Sequence, residues 1–264
     1  MKPETAITLD DGNTYLNRVL LALAIIAALG FALISLLGLV DVPSLPLITH
    51  AHAVIMASWL VLIAVQSHLG SHGSIALHKR LGKFGALLAL AVVATGLMTL
   101  VDVLSTGRVP PIFTSGYFLM LGIMNLTGFS FCVGAALVLR KNTGWHRRLM
   151  LGSLILIYEP ALGRILPFFL VPILGATPEN AVSVMMENRD LIDTVRVSVH
   201  LSIVTIIMLG DRLVTGRFHP IYAYLFVGVI CVYSVANGIG GLPAVSEFAA
   251  YVGGTEALIQ GGAQ

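Results

Sequence analysis

Charge is what this chain has least of. Only 11% of its 264 residues are Asp, Glu, Lys or Arg, against about 25% in soluble globular domains. An ordinary solvated surface is thereby excluded. Cysteine is nearly absent: Cys132 and Cys231 are the only two, both inside apolar stretches, so no disulfide framework is implied. There is no Gly-rich phosphate loop, no Cys-x-x-Cys pair and no Gly-x-Ser-x-Gly elbow. Nucleotide, dithiol and serine-hydrolase chemistry therefore have no local signature. The formal net charge is +2. Its charges are segregated along the chain instead of pooled on one face, which argues against a nucleic-acid partner.

What the chain does have is long apolar runs. A membrane-spanning helix needs about 20 mostly apolar residues, and seven stretches qualify: Asn17–Val40, His50–Leu69, His78–Leu104, Thr114–Leu139, Trp145–Leu174, Leu191–Leu213 and His219–Asn237. Basic residues collect between alternate stretches. Lys2 and Arg18, then Lys79, Arg80 and Lys83, then Arg140, Lys141, Arg147 and Arg148, then Arg212 and Arg217 make eleven of the fifteen Lys and Arg. The other connections hold Arg108 and Arg189 alone. That alternation is the positive-inside pattern. The expected fold is an all-α membrane protein, a seven-transmembrane-helix bundle in the plasma (inner) membrane, N-terminus cytoplasmic and C-terminus outside, with the lipid bilayer as its first partner.

The expected organisation is a cytoplasmic segment 1–16, a membrane domain 17–237 and an extracytoplasmic Gly-rich tail 238–264. Asp10, Asp11, Gly12 and Asn13 read as a turn before the first helix, itself an uncleaved anchor. Pro178 and Glu179 suit the start of a short helix lying on the membrane. His78-Lys-Arg-Leu-Gly and His146-Arg-Arg-Leu-Met open two stretches in parallel fashion. Either two helix pairs are related as repeats, or such an entry suits any helix whose basic residues reach lipid head groups.

Ionisable side chains inside a span are costly and face the bundle interior with partners. In the sixth stretch Asp193, Arg196, His200 and Asp211 share one helical face by their spacing. The fifth brings Glu159 near mid-membrane, beside a kink expected at Pro160, with Arg164 about a turn and a half further out. The second puts His52, Trp59 and Gln66 on one face. Two clusters are expected. The outer one contains His52, Glu159, Arg164, Arg196 and His200, with His50, Asp102 and Asp193 at its rim. The cytoplasmic one contains Gln66, His68, His78, His146, Asp211 and His219. A b-type haem is a candidate cofactor, with His52 and His200 as axial ligands and Arg164 and Arg196 as planar donors to its propionates. A zinc or iron site from His52, His200 and Glu159 is chemically sensible too. Against both stands the plain alternative that these arginines pair with Glu159 and Asp193 to hold helices together. Trp59, Tyr158 and Phe168 read as packing or interface aromatics.

The series His52, Trp59, Gln66, His78-Lys-Arg-Leu-Gly-Lys-Phe-Gly, His146-Arg-Arg-Leu-Met, Pro160-Ala-Leu-Gly-Arg164 and Asp211-Arg-Leu-Val-Thr-Gly-Arg-Phe-His-Pro220 resembles a widespread group of uncharacterised bacterial seven-helix membrane proteins. The resemblance covers roughly residues 50 to 228. It implies that His52, Gln66, His78, His146, Arg164, Asp211 and His219 are features of the group, and it implies no activity. A more distant likeness, through histidines at helix ends only, is to small haem-oxidase assembly factors and cytochrome b-type proteins. The evenly spaced His pairs of dihaem cytochromes are absent here. Three functions stay open: a haem- or metal-associated redox or respiratory-chain accessory protein, a transporter or small-molecule sensor using Glu159, Arg164, Arg196 and His200, and a structural or assembly subunit docking with other membrane subunits.

Overall fold

The computed structural model describes residues 9–254, and the described chain is helical throughout. Its elements are α1 (Leu9–Leu36), a short 3-10 turn (Val42–Ser44), α2 (Leu47–His72), α3 (Ile75–Ser105), α4 (Ser115–Val138), α5 (Thr143–Leu156), α6 (Glu159–Ile173), α7 (Ala181–Glu187), α8 (Arg189–Thr215), α9 (Ile221–Gly238) and α10 (Pro243–Val252). Six of these helices are long and apolar enough to cross a membrane, and a seventh span results if α5 and α6 are taken together.

Three expectations need correction. The turn at Asp10–Asn13 lies inside α1, so the helix starts ahead of the expected boundary at residue 17. Residues 1–8 and 255–264, with Lys2 and the end of the tail, lie outside the described residues. Within the expected tail, Pro243–Val252 forms α10, which packs on α3 and α4, with Ala249 buried against Leu100, Leu104 and Leu119. Finally, the fifth stretch is two helices bent by 53°. The break falls at Ile157–Tyr158, and Pro160 is the second residue of α6. The cause is local. Proline has no N–H for the Leu156 carbonyl, and its ring crowds that carbonyl. A short helix does lie in the loop where one was expected: α7 starts at Ala181.

The core forms where α4, α5, α8 and α9 meet. Phe129, Ala136, Ile155, Val204, Val229 and Ala236 are completely buried there. Membrane helices pack without much hydrophobic drive, so small residues that admit a neighbour's side chain matter most. Leu156 fills such a notch. A Cβ on Gly128 or on Gly228 would come within 3.0 Å of its side chain. The last residue of α5 is thus gripped by α4 and α9 just where the helix breaks. Outward-facing positions are apolar, including Leu29, Val54, Leu87, Phe131, Ile206 and Val227, as a lipid-facing surface requires.

Candidate functional site at the helix break

The break creates a polar requirement that the rest of the bundle answers. A continuous helix would use the Ile155 carbonyl for residue 159. Here it takes the Tyr158 N–H at 3.1 Å and His200 Nε2 of α8 at 2.8 Å. A carbonyl only accepts, so Nε2 carries the proton and donates. The other ring nitrogen, Nδ1, then accepts from the Tyr233 hydroxyl at 3.3 Å. His200 is fully buried and caps the end of a broken helix, as neighbouring helices must wherever a break leaves backbone groups open in lipid.

One turn away, Arg196 collects the acidic groups. Its Nη2 donates to Glu159 Oε1 in the first turn of α6. Its Nη1 donates to Asp193 Oδ1 at 2.8 Å and to the Tyr117 hydroxyl at 3.4 Å. The guanidinium lies 4.7 Å from the Phe113 ring centroid and 5.7 Å from that of Tyr233. Arg196 is 1% exposed and Glu159 4%. Four helices, α4, α6, α8 and α9, therefore converge on one guanidinium that faces two carboxylates. Asp193 also lines an open cleft of about 400 Å³ with Asp190, Thr194, Val197, Ser198 and Asn237. The polar groups of that lining are carboxylates, hydroxyls and an amide.

The expected outer cluster is thus only half assembled. Glu159, Arg196, His200 and Asp193 come together, while His52, Arg164 and Asp102 do not join them. Asp102 pairs with Arg108 instead. His52 Nδ1 meets Thr95 Oγ1 of α3 at 3.0 Å. Arg164 Nη1 donates to the Pro160 carbonyl at 2.7 Å, and its guanidinium lies 4.0 Å over the Phe31 ring of α1. As placed, both ring nitrogens of His200 are engaged, Nε2 by the Ile155 carbonyl and Nδ1 by the Tyr233 hydroxyl. His52, His200 and Glu159 each hold separate partners, and among the described residues no three His, Cys, Asp or Glu gather to hold a metal.

The expected cytoplasmic cluster is split in two. In one part Gln66 Nε2 donates to the His78 carbonyl at 3.1 Å, while His78 Nδ1 donates to the Gln66 carbonyl at 3.2 Å. The His78 and His146 rings stand edge to face, 6.2 Å apart. His146 Nδ1 is tied to the Ala136 carbonyl at 2.8 Å. In the other part Asp211, fully buried, takes a two-pronged grip from Arg148, Nε at 2.8 Å and Nη2 at 2.7 Å. The Tyr222 hydroxyl adds a third bond at 3.0 Å. His219, in the loop before α9, packs edge-on against Trp145 at 4.8 Å and accepts the Ile221 N–H on Nδ1. Burial foremost, then the Arg148 cation, lowers its pKa to about 4. His219 is therefore neutral near pH 7 and keeps that hydrogen bond. His68, expected in this cluster, instead borders a cavity of about 230 Å³ with Thr14, Asn17 and Arg18.

Trp59 is buried edge-on against Phe129 at 5.1 Å, a packing aromatic as expected. Tyr117, Tyr233, Arg148 and Tyr222 join these networks without a motif that announces them. Arg148 was visible only as one more loop cation. The stripe of acids and bases along one face of α8 was the legible signal. Both halves of the broken span bind it, α5 through Arg148–Asp211 and α6 through Glu159–Arg196. No family model, no curated protein and no solved structure matches this chain.

Proposed function

We propose that this chain is a seven-span protein of a bacterial plasma membrane, N-terminus inside and C-terminus outside, that transports or senses a small cation or a proton at the helix break. One observation carries the reading: a buried network with two carboxylates to one guanidinium sits at the discontinuity of a span and reaches an open cleft through Asp193. Discontinuous helices near the membrane midplane are where transporters build ion sites, and intramembrane ionisable groups mark ion and proton paths. The surplus carboxylate suits a positive ligand, and the Asp190 and Asp193 carboxylates of the cleft suit a hard one. The haem-linked redox reading gives way because His200 has no ring nitrogen free for a metal.

Thermal unfolding in mild detergent tests it. Sodium or potassium, exchanged against choline at constant ionic strength, is expected to raise the Tm of the wild type and leave Asp193→Asn flat. At a hundredfold excess over Kd the gain is about 2.7 kcal/mol. The proposal fails if neither ion shifts the wild type and Asp193→Asn leaves the pH dependence of Tm unchanged. The network would then be a structural lock.

A further inference from the structure

One cavity takes no part in the networks above. It holds about 230 Å³ between the first half of α1 and the last turns of α2. Thr14, Asn17, Arg18 and Leu21 line it from α1, at the i, i+3, i+4, i+7 spacing of one helical face. Ala64, Ser67 and His68 line it from α2. Hydrogen bonds fix the two helices behind it. Asn17 Nδ2 donates to Ser71 Oγ at 2.6 Å, and Asn17 Oδ1 accepts from the Ser67 hydroxyl. With those groups paired to each other, Leu21 and Ala64 leave an apolar wall, and the exposed Arg18 stands at its rim.

Depth decides what the cavity meets. From Arg18 to Leu36, the end of α1, the helix rises about 27 Å. From Leu47, the start of α2, to His68 the rise is about 32 Å. Both match the roughly 30 Å of bilayer hydrocarbon. The two side chains thus stand at the level of lipid phosphates, with the apolar wall below them facing acyl chains. Charge narrows the choice further. Arg18 joins no salt bridge among the described residues, and none of the residues lining the cavity is a carboxylate. An ammonium head group finds no counter-charge there, whereas a phosphate meets a guanidinium suited to grip it. The volume lies below the roughly 300–1,000 Å³ of a drug-sized pocket, so it admits part of a lipid and not a large solute.

We propose that the groove between α1 and α2 is a binding site for an anionic phospholipid, with the phosphate on Arg18 and the upper part of one acyl chain against Leu21 and Ala64. Basic pockets between membrane helices hold anionic head groups in this way. The site goes beyond the cation reading and shares no residue with it.

The test uses the full chain purified in a neutral detergent and kept in choline chloride. Phosphatidylglycerol and phosphatidylcholine with the same acyl chains are titrated in, following Tm. Phosphatidylglycerol is expected to raise Tm at a lower mole fraction than phosphatidylcholine does. Arg18→Gln should shift that response to about tenfold more lipid, the worth of one hydrogen bond to a charged group. Ala64→Leu fills the groove without touching the charge and should weaken the response as well. Arg217→Gln removes an exposed cation from the loop before α9 and should leave the response unchanged, which separates a site from general attraction to a basic surface. Equal responses to the two lipids, or an undiminished phosphatidylglycerol response in folded Arg18→Gln, overturn the site. Stabilisation by soluble glycerol phosphate as strong as by the lipid would assign a free phosphate instead, and overturns it too.

Discussion

Replacing Arg196 with alanine is expected to destabilise the protein by about 3–5 kcal/mol, the cost of stranding buried charge when one partner is removed. Arg196 is the common partner of Glu159 and Asp193, and without it two carboxylates face each other across α6 and α8. The Tyr117 hydroxyl and the Phe113 and Tyr233 rings lose the guanidinium as well. Denaturation of the purified protein by a graded detergent titration would measure the loss. The double variant Arg196→Met with Glu159→Gln should be less destabilised than Arg196→Met alone, because it removes the stranded charge along with its partner. A double variant as unstable as the sum of the two singles would mean that the pair is not coupled.

A second large loss is expected at the other end of α8. Asp211 accepts both prongs of Arg148 and the Tyr222 hydroxyl from a fully buried position. Asp211→Ala leaves a guanidinium and a phenol without their acceptor, again about 3–5 kcal/mol. Asp211→Asn keeps an acceptor for Tyr222 and should lose less. In the same titration, Arg148→Ala should approach Asp211→Ala, since either change strands the remaining charge. An Asp211→Ala protein of wild-type stability would show that α5 is held to α8 by packing alone.

The two losses differ in what they should do to ligand response. Asp211 lies at the basic end, far along α8 from the cleft at Asp193, so a conservative Asp211→Asn protein should keep its cation dependence. Glu159 and Asp193 changes should remove it.

How much of this was legible beforehand follows from the kind of signal each element leaves. Long apolar runs and alternating basic loops are local, and α2, α3, α4, α8 and α9 fall close to the expected stretches, whereas α1 starts well ahead of its stretch and the fifth is two helices. The stripe of Asp193, Arg196, His200 and Asp211 on α8 is periodic, so it too could be read from one helix. Partner identity is different, because it depends on which helices are neighbours. Arg148 looked like a loop cation until α5 lay beside α8, and Tyr117 looked like the start of an apolar span until its hydroxyl met Arg196. His200 and His52 sat on the faces expected of ligands, yet one is spent on the Ile155 carbonyl, left open where the helix breaks. The proline was read as a kink. Which side chain then caps that carbonyl depends on α8, a helix distant in sequence. Arg164 was expected in one cluster with Glu159, but the five residues between them on α6 place their side chains about 140° apart.

The central claim is that the carboxylates at the break are a site for a cation or proton and not only a lock. The measurement that meets it most directly is infrared difference spectroscopy of the protein in bilayers on adding sodium or potassium, and separately on a pH step. Carboxylate bands that change on either addition, and that disappear in folded Asp193→Asn and Glu159→Gln proteins, are the predicted result. A wild-type difference spectrum with no carboxylate change under either condition would contradict the account and leave Arg196 as a clamp between helices.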